Sequence, residues 1–187
     1  MIDLNKIDKT WTLFLDRDGV INHEKKDEYV NTWNEFIFYD GVLEAFKIFR
    51  QQFNRVILIT NQRGVSKGIT RLDDLYEIHH NMKAAVAEAG GYIDEIYFCT
   101  DMDNSSPNRK PQPGMGLQAV SKFADIDLQK AIMVGNKISD MEFGRNLGVH
   151  TIFLPTTNKE ISADDERIDV VFDSLISFAH ALPAYKL

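Results

Sequence analysis

Two carboxylates stand with one residue between them, Asp16 and Asp18, in the stretch W-T-L-F-L-D-R-D-G-V-I-N that covers residues 11 to 22. They come directly after an apolar run, Trp11 to Leu15, with Arg17 between them. Like charges this close repel, so something cationic should stand between or beside them. Phosphoryl transfer is chemistry that needs such a pair. It calls for a carboxylate nucleophile, a divalent cation, a proton donor for the leaving oxygen and fixed donors around the phosphoryl oxygens. Asp16 would be the nucleophile, and Asp18 could turn back to serve as acid and base. Thr60 offers a hydroxyl, Lys110 an ammonium, and Asn136 and Asp140 a metal side on which Mg²⁺ would let both carboxylates coexist.

These residues are far apart in sequence and must be brought together by the elements that carry them. Short apolar runs rich in β-branched residues alternate with longer segments of helical period, the sequence form of a parallel sheet with crossover helices. Strands are expected at Thr12 to Leu15, Val56 to Thr60, Ile93 to Cys99, Ala131 to Val134 and Thr151 to Leu154. Helices are expected over Val42 to Gln52, Leu72 to Ala89, Met115 to Ala124, Ser139 to Leu147 and Ser174 to Ala181. Asp16 and Asp18 follow the first strand, Thr60-Asn61-Gln62 closes the second, and Gly135-Asn136-Lys137 closes the fourth. In an open parallel sheet the carboxyl ends of the strands share one edge, where ligands bind. His79 and His80 fall in a helical stretch and read as surface or packing residues.

The chain has 187 residues, 44% apolar and 26% charged, with glycine and proline spread along it. That fits one globular α/β domain over 1–187. A formal net charge of −7 disfavours nucleic-acid binding, because phosphate backbones attract basic faces. The single cysteine, Cys99, excludes an internal disulfide and a multi-cysteine zinc site. No apolar run approaches a membrane span and the start has no apolar leader core, so a cytoplasmic protein is expected.

Four motifs carry a family resemblance: D-R-D-G-V at 16–20, T-N-Q at 60–62, R-K-P-Q-P-G-M at 109–115 and G-N-K-I-S-D-M at 135–141. In type, order and spacing they resemble the motifs of the haloacid dehalogenase (HAD) superfamily of phosphatases. The segment after Asp18 resembles the D-glycero-D-manno-heptose 1,7-bisphosphate phosphatases and their histidinol-phosphate phosphatase relatives. The resemblance implies a Rossmann-like three-layer α/β/α fold with a central parallel sheet, essentially capless. It implies a Mg²⁺-dependent phosphomonoester hydrolase in which Asp16 becomes an aspartyl-phosphate and Asp18 moves protons. Thr60 and Lys110 would hold the phosphoryl oxygens. Metal contacts fall on Asp16, Asp18 through its main-chain carbonyl, and position 136, with Asp140 in support. Substrate contacts fall on Arg109 and Lys137, with Asn22, Asn61, Gln62 and Arg63 on the pocket wall.

Two departures stand out. Asn136 replaces the usual Asp, which removes a ligand charge and should weaken metal binding. The loop before R-K-P keeps only Cys99 of the three Cys and one His that hold zinc in many of these enzymes, so no structural zinc is expected. The implied partner is a small phosphorylated molecule, most like a heptose bisphosphate dephosphorylated at position 7. Alternatives are histidinol phosphate or another sugar phosphate, or, from Asn136, a catalytically weak phosphate-binding homologue with a regulatory role. A monomer is expected, with weak oligomerisation as the alternative.

Overall fold

The computed structural model describes residues 2–25 and 27–183. Its strands are β1 (Thr12–Leu15), β2 (Arg55–Asn61), β3 (Glu95–Cys99), β4 (Ala131–Gly135), β5 (His150–Phe153) and β6 (Val170–Val171). They form one parallel sheet in the order β3-β2-β1-β4-β5-β6. The strand order reverses beside β1, which opens a crevice between the carboxyl ends of β1 and β4. Helices α1 (Val42–Gln52), α2 (Arg63–Ser66), α3 (Leu72–Glu88), α4 (Gly114–Lys122), α5 (Ile138–Leu147) and α6 (Leu175–Ala181) complete the order.

The side-chain alternation of a strand sorts the core into two layers. Leu13 and Leu15 of β1 join Val56, Leu58, Ile132 and Val134 on one face, packed under Phe46 and Phe49 of α1, Met82 of α3 and Phe178 of α6. Phe14 points to the other face with Ile57, Ile59 and Met133, under Met115 of α4 and Phe143 of α5. Each such side chain, taken wholly out of water, contributes about 1.5–3 kcal/mol. β1 is therefore apolar on both faces over Leu13 to Leu15, and Asp16 follows directly where the strand ends, itself buried. The three-layer α/β/α arrangement with a parallel sheet is the one the sequence predicts.

The differences are at boundaries and in short elements. β3 starts at Glu95 rather than Ile93 because Asp94 serves as an anchor: its Oδ2 accepts from Val56 N at 2.8 Å while its other oxygen pairs with Arg55 at 3.0 Å. β5 starts one residue earlier than expected, at His150, and α5 at Ile138. α2 and the two-residue β6 were not expected, being too short to show a period. Among the described residues, no helix is long and apolar enough to cross a membrane.

Candidate active site

Asp16 leaves β1 with its main chain still in the sheet, its N–H donating to Val134 O at 3.0 Å. Its carboxylate lies buried beside an equally buried Lys110, whose Nζ stands 2.8 Å from Asp16 Oδ1 and 2.7 Å from Asp140 Oδ1. One cation thus neutralises two carboxylates from different strand ends, the geometry a low-dielectric site needs. Burial pushes the Asp16 carboxyl up to about 6, with the Lys110 ammonium pulling against it and Asp140 adding to the rise. Burial works to lower Lys110, but Asp140 and Asp16 outweigh it and hold the ammonium above its usual range. Asn61 fixes the main chain of Lys110 from both sides: Nδ2 donates to Lys110 O at 3.0 Å and Oδ1 accepts from Lys110 N at 3.1 Å. The peptide bond between Lys110 and Pro111 is cis.

Asp140 closes the N-terminus of α5. Its Oδ2 accepts from Asn136 N at 3.1 Å and Lys137 N at 3.0 Å, which suits a carboxylate at the positive end of a helix dipole. Its two oxygens are thereby divided between Lys110 and the main chain of the motif loop. Gly135 is required here, since a Cβ at that position would overlap the Asp140 side chain.

Asp18 has different company. Its Oδ1 accepts from Arg17 Nε at 3.2 Å, Arg17 Nη2 at 2.8 Å and Asn22 Nδ2 at 3.0 Å, and its Oδ2 accepts from Gln62 Nε2 at 2.8 Å. Burial would raise this carboxyl, but the Arg17 guanidinium with the Asn22 and Gln62 amides outweighs it and holds Asp18 below the usual carboxylate range. Gln62 also donates to the buried Thr60 Oγ1 at 2.9 Å, linking the hydroxyl at the end of β2 to the Asp18 network. Asn22, Asn61 and Gln62, read from sequence as pocket walls, are thus tied to Asp18 and to Lys110.

The remaining pocket residues divide. Lys137 lines the cleft and pairs with Glu24 at 2.6 Å. Arg63 and Arg109 are committed to the loop after β3: Arg63 Nη2 donates to Met102 O at 3.1 Å and Asn104 Oδ1 at 2.5 Å, and Arg109 reaches Asp101 O at 3.2 Å and Asn104 Oδ1 at 3.3 Å. Neither lines the cleft of about 890 Å³ whose walls include Arg17, Asp18, Asn61, Gln62, Lys67 and Lys137.

Whether these residues suit a divalent cation turns on Asn136. Its side chain is wholly buried, with Nδ2 donating to Thr157 Oγ1 at 2.6 Å while Oδ1 has no hydrogen-bond partner. An amide oxygen held without a donor, beside a loop bearing the Asp16 carboxylate, suits a hard cation. Gly19, at φ +87°, permits the approach, because a Cβ there would run into the Asn136 amide. The donor set therefore fits Mg²⁺, with one carboxylate fewer than the usual family pattern.

Sequence reasoning missed three participants. In the sequence Arg17 is only the residue between two aspartates, yet it is fully buried and is the main cation of Asp18. His79, read as surface or packing, is buried with its Nε2 3.3 Å from Arg17 Nη1. Its place on the buried stripe Leu75, Ile78, His79, Met82 and Val86 of α3 was the available signal. Thr157, in an irregular loop, gave none.

Comparison with known proteins agrees with this fold. A family model described as HAD-hydrolase-like matches residues 107–178. The chain is 32% identical over 173 residues to a D-glycero-alpha-D-manno-heptose-1,7-bisphosphate 7-phosphatase of Mycobacterium tuberculosis, covering 92% of this chain and 91% of that protein. It is 33% identical over 184 residues to a D-glycero-beta-D-manno-heptose-1,7-bisphosphate 7-phosphatase of Yersinia pestis, covering 93% and 96%. The crystal structure of the D,D-heptose 1,7-bisphosphate phosphatase of B. bronchiseptica, complexed with magnesium and phosphate, superposes with a TM-score of 0.81 at 29% identity, covering 91% and 96%. With its parallel sheet, its paired aspartates at the carboxyl edge and relatives that match nearly end to end, this chain belongs to the haloacid dehalogenase-like hydrolases and is one of their phosphatases.

Proposed function

We propose that this single-domain phosphatase is Mg²⁺-dependent and removes the 7-phosphate of D-glycero-D-manno-heptose 1,7-bisphosphate by way of an aspartyl-phosphate on Asp16. The observation that carries the reading is the separation of two neighbouring carboxylates into two settings: Asp16 on the buried Lys110, Asp18 on Arg17. In the first half-reaction an Asp16 carboxylate oxygen bonds to phosphorus while the bond from phosphorus to the sugar oxygen breaks. The carboxyl of Asp18 gives its proton to that oxygen. In the second half, Asp18 as carboxylate takes a proton from water, whose oxygen attacks phosphorus and releases Asp16 and inorganic phosphate. Asp18 rests ionised in the free enzyme, takes a proton from solvent for the first half, and is left protonated by the second. The charge of an arriving phosphate monoester raises its proton affinity for the first.

Lys110 and the Thr60 hydroxyl would hold phosphoryl oxygens. Asp16, the Asn136 amide oxygen and the Asp18 main chain would hold Mg²⁺, which when bound offsets negative charge on the phosphoryl group and Asp16. Lys67 and Lys137 on the cleft wall suit a second phosphate, and the relatives named for heptose bisphosphates support that choice. Those relatives divide between α and β anomers, so both belong in the assay.

A second reading has an observation in its favour. Glu24, Asp27, Glu28 and Glu160 also line the cleft, and these acids suit a phosphate ester bearing a cationic amine, such as histidinol phosphate. Phosphate release with Mg²⁺ from both heptose bisphosphate anomers, the matching monophosphates and histidinol phosphate separates the two by kcat/KM. The proposal expects a bisphosphate to lead and the 1-phosphate to remain on the product. A lead for histidinol phosphate overturns the substrate, and no release from any of them overturns the activity.

A further inference from the structure

Arg17 is the largest fully buried side chain among the described residues. A buried guanidinium needs a partner on each donor edge, since an unsatisfied charged group in the interior is costly. Asp18 takes the edge formed by Nε and Nη2, both on Oδ1. The remaining edge is met from α3, where His79 Nε2 lies 3.3 Å from Arg17 Nη1.

Arg17 cannot give up its protons, so in this contact Arg17 donates and His79 must accept. The imidazole is therefore neutral, with its proton on Nδ1. Its burial, with the nearby Arg17 charge, pushes the His79 pKa down to about 3 despite the pull of Asp18. The ring is also steadied from below by Phe98 of β3, whose ring centroid lies 5.6 Å away at 60°. Leu75, Ile78, Met82 and Val86 share its helical stripe and are apolar, so His79 is the one polar acceptor that stripe carries to the site.

We propose that His79 is a positioning residue for proton transfer: by accepting the Arg17 Nη1 proton it fixes the guanidinium that holds the Asp18 carboxylate. The proposal rests on the reading of Asp18 as acid and base. His79 does not line the cleft. Its effect runs through Arg17, which without the acceptor would be free to turn its buried charge away from Asp18.

The test pairs His79→Phe, which keeps a ring and loses the acceptor, with His79→Gln, which keeps an acceptor oxygen. On an alkyl phosphate substrate, His79→Phe should lower kcat about tenfold or more, a share of what acid–base catalysis supplies. KM should stay within about twofold, because ground-state binding is untouched. His79→Gln should recover kcat to within about threefold of wild type. The loss should shrink on an aryl phosphate with an acidic phenol, whose departure needs little protonation. Equal losses in both variants, a loss confined to KM, or no loss in His79→Phe would overturn the proposal and mark His79 as packing alone.

A readout that needs no turnover separates this proposal from the phosphatase reading. In ¹⁵N-labelled protein at neutral pH, His79 should show an unprotonated Nε2 and a protonated Nδ1. The Arg17 guanidinium protons should exchange slowly in wild type and His79→Gln, and rapidly in His79→Phe. A proton on His79 Nε2 in wild type overturns the proposal without any variant. A silent wild type in the phosphate assay with this pattern intact would instead sink the proposed reaction and leave the positioning contact standing.

Discussion

Asp16 and Asp18 lie in one loop, two residues apart, and the protein sends them to opposite electrostatic settings. Asp16 sits in a buried chain of carboxylate, ammonium and carboxylate with Lys110 and Asp140, and its proton affinity is raised by burial. Asp18 is held by a guanidinium and two amides, and its proton affinity is lowered although burial works the other way. Proximity in sequence thus says little about charge state. What decides is the partner each side chain meets: a lysine shared with a second carboxylate, or an arginine committed to one. A lysine is a compact point charge that can pass between oxygens, which suits the role proposed for Asp16 as acceptor of phosphorus. Arginine presents a fixed fork, which suits a residue that must be held in place.

The comparison breaks most completely at Asp16. Asp16→Asn should lower turnover by about 10⁴-fold or more while Lys110 keeps Asp140 as partner, so the near-UV circular dichroism should stay that of wild type. Asp18→Asn should cost about 10²–10⁴-fold in kcat and, unlike Asp16→Asn, should let phosphate reach the enzyme from an aryl phosphate, whose acidic phenol needs no proton to leave, before the reaction stalls. Lys110→Met leaves Asp16 and Asp140 facing each other without a cation, and urea unfolding should show a loss of about 3–5 kcal/mol.

The two settings should also differ in how stability follows pH when Mg²⁺ is chelated. Asp16 binds its proton more tightly folded than unfolded, so its contribution is present below the unfolded value of 3.8 and is lost as pH rises through about 6. Asp18 is lowered, so its contribution is present above 3.8 and is lost as pH falls. Between those limits Asp16→Asn should gain on wild type with rising pH, by on the order of 2 kcal/mol in urea unfolding series. The smallest effect belongs to Asn136→Asp. Restoring the ligand charge should tighten Mg²⁺ binding about tenfold by calorimetry, with Asp16→Asn as the matching loss.

Much of this was legible in the sequence because it lies in periodic segments or dense motifs. The nearly all-apolar strands β1 and β4 announce a sheet covered on both faces, and Asp16, Thr60 and Asn136 at strand ends announce a shared edge. Lys110 was legible from its motif, though nothing in the sequence revealed that Asn61 would hold its main chain from both sides. Arg17 and His79 were not legible as a pair because they are 62 residues apart and meet only through the packing of α3 against the sheet. Arg63 and Arg109 were expected at substrate and are found holding the loop after β3, a choice set by carbonyls and Asn104 in an irregular segment. β6 is two residues long and is placed by Asp169, whose carboxylate meets Arg145 and Thr151 N, contacts no local pattern encodes.

The division of labour between the two carboxylates is tested most directly by trapping the phosphorylated enzyme. Asp18→Asn is mixed with Mg²⁺ and an aryl phosphate whose acidic phenol leaves without a proton, quenched in acid within one turnover, and mapped by peptide mass spectrometry. The phosphoryl group should be found on Asp16, close to one per chain. Phosphate on another residue, or phosphoryl-free protein from a variant that still turns over, would contradict the assignment of Asp16 to phosphorus and Asp18 to protons.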